Sequence, residues 1–270
     1  MMIKIIGTAH VLDKSVGDVK SIIEREKPDV IALELDEDRF RLMEEMNWNP
    51  TAYSTVEFNI SLADWGGGGS LLVLFSKFLS LIQQEMGRVF GRAPGSEMCA
   101  AVKCARKYGA RIALIDRNLM ITLNHLLNIP LREKIGLFLR SNDDLKIIGS
   151  VLGTNPERII ENEIINRILL DLRTNMPNLY SALIDERDRY MAYLLYKLQE
   201  ENPDSLILAV VGAGHEQGIS YYLKRFGAGK DFDLEVDNKI YPISNFSLLF
   251  FVFATVFIYL ILKVRGIGNA

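Results

Sequence analysis

The sequence predicts an α/β domain built on a central, mainly parallel β-sheet that helices flank on both faces. The first observation is a set of four short aliphatic runs, at residues 3–6, 30–33, 111–115 and 206–211. Continuous apolar runs of this length are typical of strands that are covered on both faces, as in parallel sheets. The second observation is that amphipathic segments of helical length lie between these runs, which is the alternation of α/β folds.

The first two strands and the segment between them are expected to form a βαβ unit. Residues 15–27 carry apolar side chains at helical spacing, with Ser15 as the expected N-cap. The crossover between two such parallel strands is right-handed in nearly all proteins. Predicted helices over residues 94–108, which Gly109 ends, and over residues 185–199 lead into the third and fourth strands.

Two further segments, residues 48–92 and 119–180, are predicted as helical insertions that cap the ends of the strands. With them, the folded domain is expected to span residues 1–240 of the 270-residue chain. A chain of this length can bury a substantial core. The formal net charge is −3, and charges of both signs are spread along the chain, which argues against a nucleic-acid partner.

The C-terminal region differs from the rest because residues 246–262 are almost continuously apolar and aromatic. A helix of this length spans about 25 Å, the short end of what crosses a bilayer. We therefore predict a transmembrane helix here, with a buried core helix as the alternative. The N-terminus lacks the pattern of a signal peptide, so we expect a membrane-anchored protein with its folded domain in the cytoplasm.

Polar residues follow each of the four predicted strands. The first strand leads to Gly7-Thr8-Ala9-His10 and the last to Gly212-Ala213-Gly214-His215, so two of the three histidines share a Gly-x-x-His motif. The second strand ends at Glu34, and the third at Asp116 and Arg117. The carboxyl ends of parallel strands meet at one edge, where open α/β sheets bind their ligands. We therefore expect one shared site, with the two motifs as its walls and the other residues between them.

Residue type indicates what each side chain can do in such a site. A neutral imidazole of His10 or His215 binds a metal ion or acts as a general base near pH 7, and Glu34 can be a ligand or orient a histidine. Arg117 can hold a carboxylate or stabilise a developing oxyanion. Glycines let the backbone approach a ligand closely. The residues expected to bind substrate are Gly7, Asp116, Gly212 and Gly214.

The charged run Glu186-Arg187-Asp188-Arg189, at the start of a predicted helix, is a further candidate. Acidic residues suit the positive end of a helix, which is the structural explanation of this run. Arginines are less expected there, so Glu186 and Arg187 are included among the catalytic candidates. Arg39 either reaches the site from a neighbouring helix or lies on a solvated helix start. His125 has no partner motif and is expected to be an ordinary helical residue.

Taken together, these motifs resemble the TraB/PrgY family, which includes pheromone-shutdown proteins and the TIKI-type metalloproteases that inactivate Wnt. The resemblance extends over nearly the whole region before the apolar segment. Besides the two Gly-x-x-His motifs, its matching stretches are Val30-Ile31-Ala32-Leu33-Glu34-Leu35-Asp36, Pro94-Gly95-Ser96-Glu97-Met98, Ala113-Leu114-Ile115-Asp116-Arg117 and Asp185-Glu186-Arg187-Asp188-Arg189. There are two departures: His125 stands where a basic residue is expected, and one apolar segment replaces several, which indicates either truncation or a shortened variant.

The resemblance implies a hydrolase with a central sheet flanked by helices, in a wider group with erythromycin esterases and ChaN-like proteins. For the TIKI-type branch it implies metal-dependent peptide cleavage. The ligands of a divalent ion of the manganese or cobalt type would then be His10, Glu34 and His215. The catalytic residues would be His10, Glu34, Arg117, Glu186, Arg187 and His215.

The leading hypothesis is therefore a membrane-tethered, metal-dependent hydrolase of peptides, in which the metal ion activates a water molecule. Two alternatives remain open. One is a non-catalytic protein that binds a peptide or pheromone, and the other is a metal-free esterase with His10 as general base. The expected partners are a peptide and the membrane, and a homodimer is also left open.

Overall fold

The computed structural model describes residues 2–8, 13–49, 95–134, 158–229 and 238–242. Within these ranges, four strands form one parallel sheet in the spatial order β1-β4-β2-β3. The strands are β1 (Ile3–Thr8), β2 (Val30–Leu33), β3 (Arg111–Leu114) and β4 (Ile207–Gly212). The predicted α/β class, with a parallel sheet flanked by helices, is confirmed.

The helices of the described ranges follow the predicted alternation with the strands. They are α1 (Asp13–Glu26), α2 (Glu37–Glu45), α3 (Ser96–Tyr108), α4 (Leu119–Asn128), α5 (Arg158–Asn175), α6 (Pro177–Tyr180), α7 (Glu186–Glu201) and α8 (Ala213–Gly227). One π-helical turn, Ser181–Asp185, joins α6 to α7. Such turns interrupt the regular helical ladder and are frequent at functional sites.

The strand order changes the predicted layout of the site. β4 pairs with β1 on one side, with Ile3 opposite Ile207, and with β2 on the other, with Val30 also opposite Ile207. The expectation that Glu34, Asp116 and Arg117 lie between the two Gly-x-x-His motifs is therefore wrong. The strands that lead to these motifs are direct neighbours, and β2 and β3 lie beyond β4, because β4 is inserted between β1 and β2.

Alternate residues of each central strand pack on opposite faces of the sheet, as the two-residue period of a strand requires. In β2, Ile31 and Leu33 join the core under α1 and α3, whereas Val30 and Ala32 join the core under α7 and α8. All four residues are buried. Because both faces are covered by helices, polar side chains of these strands are confined to the sheet edge where the strands end.

Several predicted boundaries differ from the observed ones at the start of the chain. β1 continues to Thr8, which pairs with Gly212 of β4 and donates from Oγ1 to the carbonyl oxygen of Val211 at 3.2 Å. Helix α1 begins at Asp13, so Ser15 lies inside its first turn and is not the N-cap. In contrast, α3 ends as predicted, because Gly109 adopts the left-handed conformation with φ of 73° that glycine tolerates best.

The helical insertions and the C-terminal apolar segment are described only in part. Almost all of the 48–92 insertion and the whole predicted span 246–262 lie outside the described residues. The described parts of the 119–180 insertion are largely helical, in α4, α5 and α6. In the described part of the chain, no helix has the length and apolar character needed to cross a membrane.

Candidate functional site

The carboxyl edge of the sheet gathers buried charged side chains from three strands and from α7. Glu34 follows β2, Asp116 and Arg117 follow β3, and His215 lies in the first turn of α8, directly after β4. Helix α7 adds Glu186, Arg187 and Asp188, which are its first three residues and directly follow the π-helical turn. We call this set the edge cluster. Its predicted members that the structure brings together are Glu34, Asp116, Arg117, Glu186, Arg187 and His215.

Arg187 is the centre of the edge cluster. Its guanidinium donates to both oxygens of Asp116, from Nε to Oδ1 at 3.0 Å and from Nη2 to Oδ2 at 2.7 Å. Nη2 also donates to Oε1 of Glu34. Nη1 donates to the carbonyl oxygen of Leu183 at 3.2 Å and lies 3.0 Å from Nε2 of His215. The Arg187 guanidinium thus contacts three side chains: the carboxylates of Glu34 and Asp116, which follow different strands, and the imidazole of His215.

The charges of this cluster hold both acids in their ionised form. Burial alone would raise the pKa of Glu34, but His215 when its ring is protonated, the Arg187 guanidinium and the backbone N–H of Gly212 lower it. Burial opposes the ionisation of Asp116 as well, yet Arg187 and Arg39 bring its pKa below the usual value. Burial lowers the pKa of Arg187, and the two carboxylates raise it above its ordinary value.

His215 is held from both ends of its ring. Nδ1 lies 2.6 Å from Oδ1 of Asp188, and Nε2 faces the Arg187 guanidinium, with Oε1 of Glu34 at 3.4 Å. An N–H of Arg187 can donate only to a nitrogen lone pair, so this contact requires a neutral ring with its proton on Nδ1. Burial is the main cause that raises the pKa of Asp188 to about 6. The pair therefore has the arrangement of a histidine base oriented by a carboxylate.

Arg117, predicted to be a catalytic residue, donates from each nitrogen of its side chain to other groups of the protein. Its side chain is fully buried, and burial is the main cause that lowers its pKa. Nε donates to Thr122 at 2.9 Å, Nη1 to Glu186 at 2.8 Å, and Nη2 to the carbonyl oxygen of Ala182 at 2.8 Å. All three nitrogens therefore serve protein contacts, and the catalytic role of Arg117 stays a prediction.

His125 joins the cluster, although the sequence offers no partner for it. Nδ1 lies 2.6 Å from Oε2 of Glu186, and Nε2 lies 2.7 Å from the carbonyl oxygen of Lys239. Both ring nitrogens face acceptors, so only the protonated ring satisfies both contacts. His125 thus joins the Glu186 carboxylate to the backbone at Lys239. A cavity of about 460 Å³ opens beside it, lined in part by Glu186 and Ser181.

Arg39 reaches the edge cluster, which decides between the two interpretations of the start of α2. Asp36 caps this helix by accepting from the backbone N–H of Arg39 at 2.8 Å. Its other oxygen accepts from the backbone N–H of Leu119, the first residue of α4, at 3.1 Å. The Arg39 side chain donates to Asp36 from Nε at 2.9 Å and to Asp116 from Nη2. Arg39 and Arg187 therefore bind the same carboxylate from opposite elements.

The predicted substrate-binding glycines have structural explanations at two positions. The backbone N–H of Gly212 donates to Oε2 of Glu34 at 2.6 Å, which fixes that carboxylate against β4. A side chain at Gly7 would meet the α8 backbone at Ala213, 3.1 Å away, and the Glu216 carboxylate. His10, the histidine of the first motif, lies outside the described residues, so its roles as base and ligand stay predictions.

The contacts of Glu34 and His215 do not fit a metal centre. Both Glu34 oxygens already accept from Arg187 or Gly212, and both His215 nitrogens already face Asp188 or Arg187. A guanidinium in contact with both side chains also repels a divalent cation there. Among the residues that the structure describes, no group of three or more histidines, cysteines or acids could hold a metal ion.

Gly218 on α8 gives a first prediction, because a side chain there would overlap Asp188, whose Cγ would lie 2.6 Å from the added Cβ. We expect Gly218→Ala to lower the free energy of unfolding by about 1–3 kcal/mol, as overpacking does, and to displace the partner of His215. Thermal unfolding measures the loss. Gly214→Ala is the matched control on the same helix, since its nearest contact would be Leu169 at an ordinary 3.9 Å. Equal losses in both variants would contradict this packing.

Acid sensitivity gives a second prediction. Burial raises the pKa of Glu186, but His125 and Arg117 outweigh it and bring it from 4.5 to about 2. Because the pKa is lower in the folded state, Glu186 stabilises the fold above pH 4.5, by up to about 3 kcal/mol. This contribution to the free energy of unfolding disappears as the pH falls toward 2. We expect Glu186→Gln, which cannot titrate, to lose less stability between pH 5 and 3 than the parent chain. Parallel denaturation curves across these pH values would contradict the ion pairing.

Comparisons with known proteins show the family of this chain. The TraB/PrgY/gumN family matches residues 2–228. An uncharacterized protein of Methanocaldococcus jannaschii is 38% identical over 241 residues, which cover 86% of this chain and 56% of that protein. TraB domain-containing proteins of Homo sapiens and Mus musculus are each 25% identical over 240 residues, or 80% of this chain and 61% of theirs. The chain thus spans less than two thirds of each of these relatives.

Proposed function

Because the chain belongs to the TraB/PrgY/gumN family, we propose that it is a hydrolase whose site is the edge cluster. The observation that carries this proposal is the placement of His215 between Asp188 at Nδ1 and Arg187 at Nε2. A carboxylate that fixes the tautomer of a histidine, beside a fixed cation, is the arrangement that general-base hydrolysis needs. We favour His215 as the base, because Asp188 orients its ring through Nδ1.

The proposed reaction starts when a water molecule and the substrate carbonyl displace Arg187 Nη1 from the His215 ring. Nε2 of His215 takes a proton from the water molecule while the water oxygen bonds to the carbonyl carbon. The carbonyl oxygen then becomes an oxyanion. The Arg187 guanidinium stabilises that oxyanion. The imidazolium then gives its proton to the leaving nitrogen or oxygen as the bond to carbon breaks. Asp188 stays ionised and holds the ring throughout.

The substrate proposed is a peptide, with a simple ester as the second class that the same chemistry would cleave. Glu34 and Asp116 remain paired to Arg187, and Glu34 approaches Nε2 of His215 at 3.4 Å, where it would stabilise the imidazolium. The reaction proposed needs no divalent ion, since the cation beside the reacting atoms is Arg187. The manganese or cobalt hypothesis is tested together with this proposal.

The test is mass analysis of a mixed-sequence peptide pool incubated with the purified full-length chain. We expect cleaved peptides in the presence of chelator as well as with added Mn²⁺ or Co²⁺, and intact peptides with His215→Ala. Cleavage only with added metal would support the metal-dependent hypothesis instead. Peptides that stay intact but remain bound would support the non-catalytic binding protein, and intact, unbound peptides would contradict both.

Membrane attachment through residues 246–262 and a cytoplasmic position of the domain belong to the same proposal. The apolar sequence of that segment supports the membrane attachment. We expect the full chain to stay with the membranes after alkaline carbonate washing. Complete release by that wash would contradict a spanning segment. A homodimer remains part of the proposal and would be detected as a doubled mass in detergent solution.

A further inference from the structure

A short segment, residues 238–242, lies against α4 beside the cavity, and we call it the strap. Asn124 on α4 binds it with both ends of its side-chain amide. Nδ2 donates to the carbonyl oxygen of Tyr241 at 2.8 Å, and Oδ1 accepts from the backbone N–H of Tyr241 at 2.8 Å. His125, the next residue, binds the carbonyl oxygen of Lys239 through Nε2 at 2.7 Å. The strap is thus held by three hydrogen bonds to its backbone.

These three contacts use groups that nearly every peptide offers. An amide that pairs with the N–H and C=O of one residue imitates the pairing of a neighbouring β-strand, which is how many proteins bind extended peptides. The side chain of Ile240 is largely exposed, at 65%, so it contributes little to the attachment. Tyr241 adds one ring contact, with its centroid 5.2 Å from that of His125. Recognition of the strap therefore depends mainly on backbone atoms and not on its sequence.

The strap also lies next to the edge cluster. His125 bridges the two, because its Nδ1 contacts Glu186 while its Nε2 contacts the strap. Glu186 immediately precedes Arg187 in α7. The cavity of about 460 Å³ is bounded by both parts, and its polar lining includes His125, Asn178, Ser181, Glu186 and Tyr241. A peptide in the position of the strap would therefore lie beside His125 and Glu186, the residue that precedes Arg187.

We propose that Asn124 and His125 form a binding site for an extended peptide backbone, and that the strap fills it as an intrachain ligand. An incoming peptide displaces the strap and makes the same three hydrogen bonds. This inference rests on the proposed function, because it assigns a backbone-recognition site to the peptide that would be hydrolysed. The same arrangement makes the strap an autoinhibitory segment, since it must leave before a peptide can bind.

The test uses a fluorescent peptide with the strap sequence, acetyl-Asn-Lys-Ile-Tyr-Pro-amide, and the full-length chain. Tyr241→Pro removes the N–H that Asn124 accepts from and weakens the attachment of the strap, while Asn124 and His125 stay intact. We expect this variant to bind the peptide roughly tenfold more tightly than the parent chain, as the loss of a competing hydrogen bond predicts. Fluorescence polarisation measures both affinities.

The matched control changes the peptide and leaves the protein intact. A peptide methylated on the backbone nitrogen of its tyrosine keeps the side chains but cannot donate to Asn124. We expect it to bind Tyr241→Pro about tenfold more weakly than the unmethylated peptide. Adding Asn124→Leu should remove this difference. Equal affinities for the two peptides, or no binding to Tyr241→Pro, would overturn the inference. Binding without cleavage would contradict only the proposed hydrolysis, so the two failures are distinguishable.

Discussion

Arg187→Met is expected to lower the free energy of unfolding by about 3–5 kcal/mol and to abolish hydrolysis. The substitution keeps much of the side-chain length but leaves Glu34 and Asp116 without their shared guanidinium. Both acids are buried, with exposed fractions of 9% and 7%. A buried carboxylate that loses its cation must either take up a proton or remain charged in an apolar environment, and both outcomes cost free energy.

The charge of Arg187 and its geometry can be separated. Arg187→Lys keeps one positive charge but cannot donate to Asp116, Glu34 and His215 in the same planar arrangement. We therefore expect it to recover part of the stability and little of the activity. Chemical denaturation measures the first quantity, and peptide cleavage followed by mass analysis measures the second. Full activity in Arg187→Lys would show that only the positive charge is needed. That result would contradict the proposed role of the several N–H groups that the planar guanidinium presents.

Arg189→Met is the matched control, two residues further along the same helix. Arg189 pairs with Asp185 at 3.3 Å and is more exposed than Arg187, at 21% against 15% of the side chain. A partly exposed pair of this kind contributes about 0–1 kcal/mol. A loss as large as that of Arg187→Met would indicate that any arginine of this helix start is essential, and that the edge cluster has no special position.

The fold could be predicted because each central strand is a local apolar pattern. The runs around Val30 and Ile207 are continuous, as strands buried on both faces require, and they were located within one residue of their observed ends. The order of the strands could not be predicted, because it depends on which strand is inserted where. The insertion of β4 between β1 and β2 leaves no local signal in either segment.

The site was predictable to the extent that its residues follow strands. Glu34, Asp116 and His215 are each within four residues of a strand end, and strand ends converge in any parallel sheet. The sequence indicated that the charged run on α7 is a candidate, but it did not indicate on which face of the helix each of its residues lies. Asp188 contacts His215 and Glu186 contacts His125, and this division depends on the π-helical turn and on the position of α4. Neither position can be inferred from local spacing.

Asp188→Asn is expected to reduce hydrolysis about 10²–10⁴-fold, the range of a lost general-base arrangement, while changing stability much less than Arg187→Met. Asp188 is a positioning residue, because it contacts the His215 ring and not the substrate. An amide in its place can present an N–H to Nδ1 and so favour the tautomer with its proton on Nε2, which cannot accept a proton from water. Kinetics of peptide cleavage measure the loss.

The dependence of the rate on pH separates this role from a merely structural one. The pKa of Asp188 is raised to about 6, so the pair with His215 gains a proton below that pH, and the parent rate should fall as the pH drops through about 6. Asp188→Asn removes this acid and should move that limb of the profile. Asp38→Asn is the matched control, since Asp38 is an exposed acid that accepts from Asn118 at 3.0 Å at the start of α2. If both variants keep the parent profile, His215 is not the base, and His10 becomes the remaining histidine of the paired motifs that could serve.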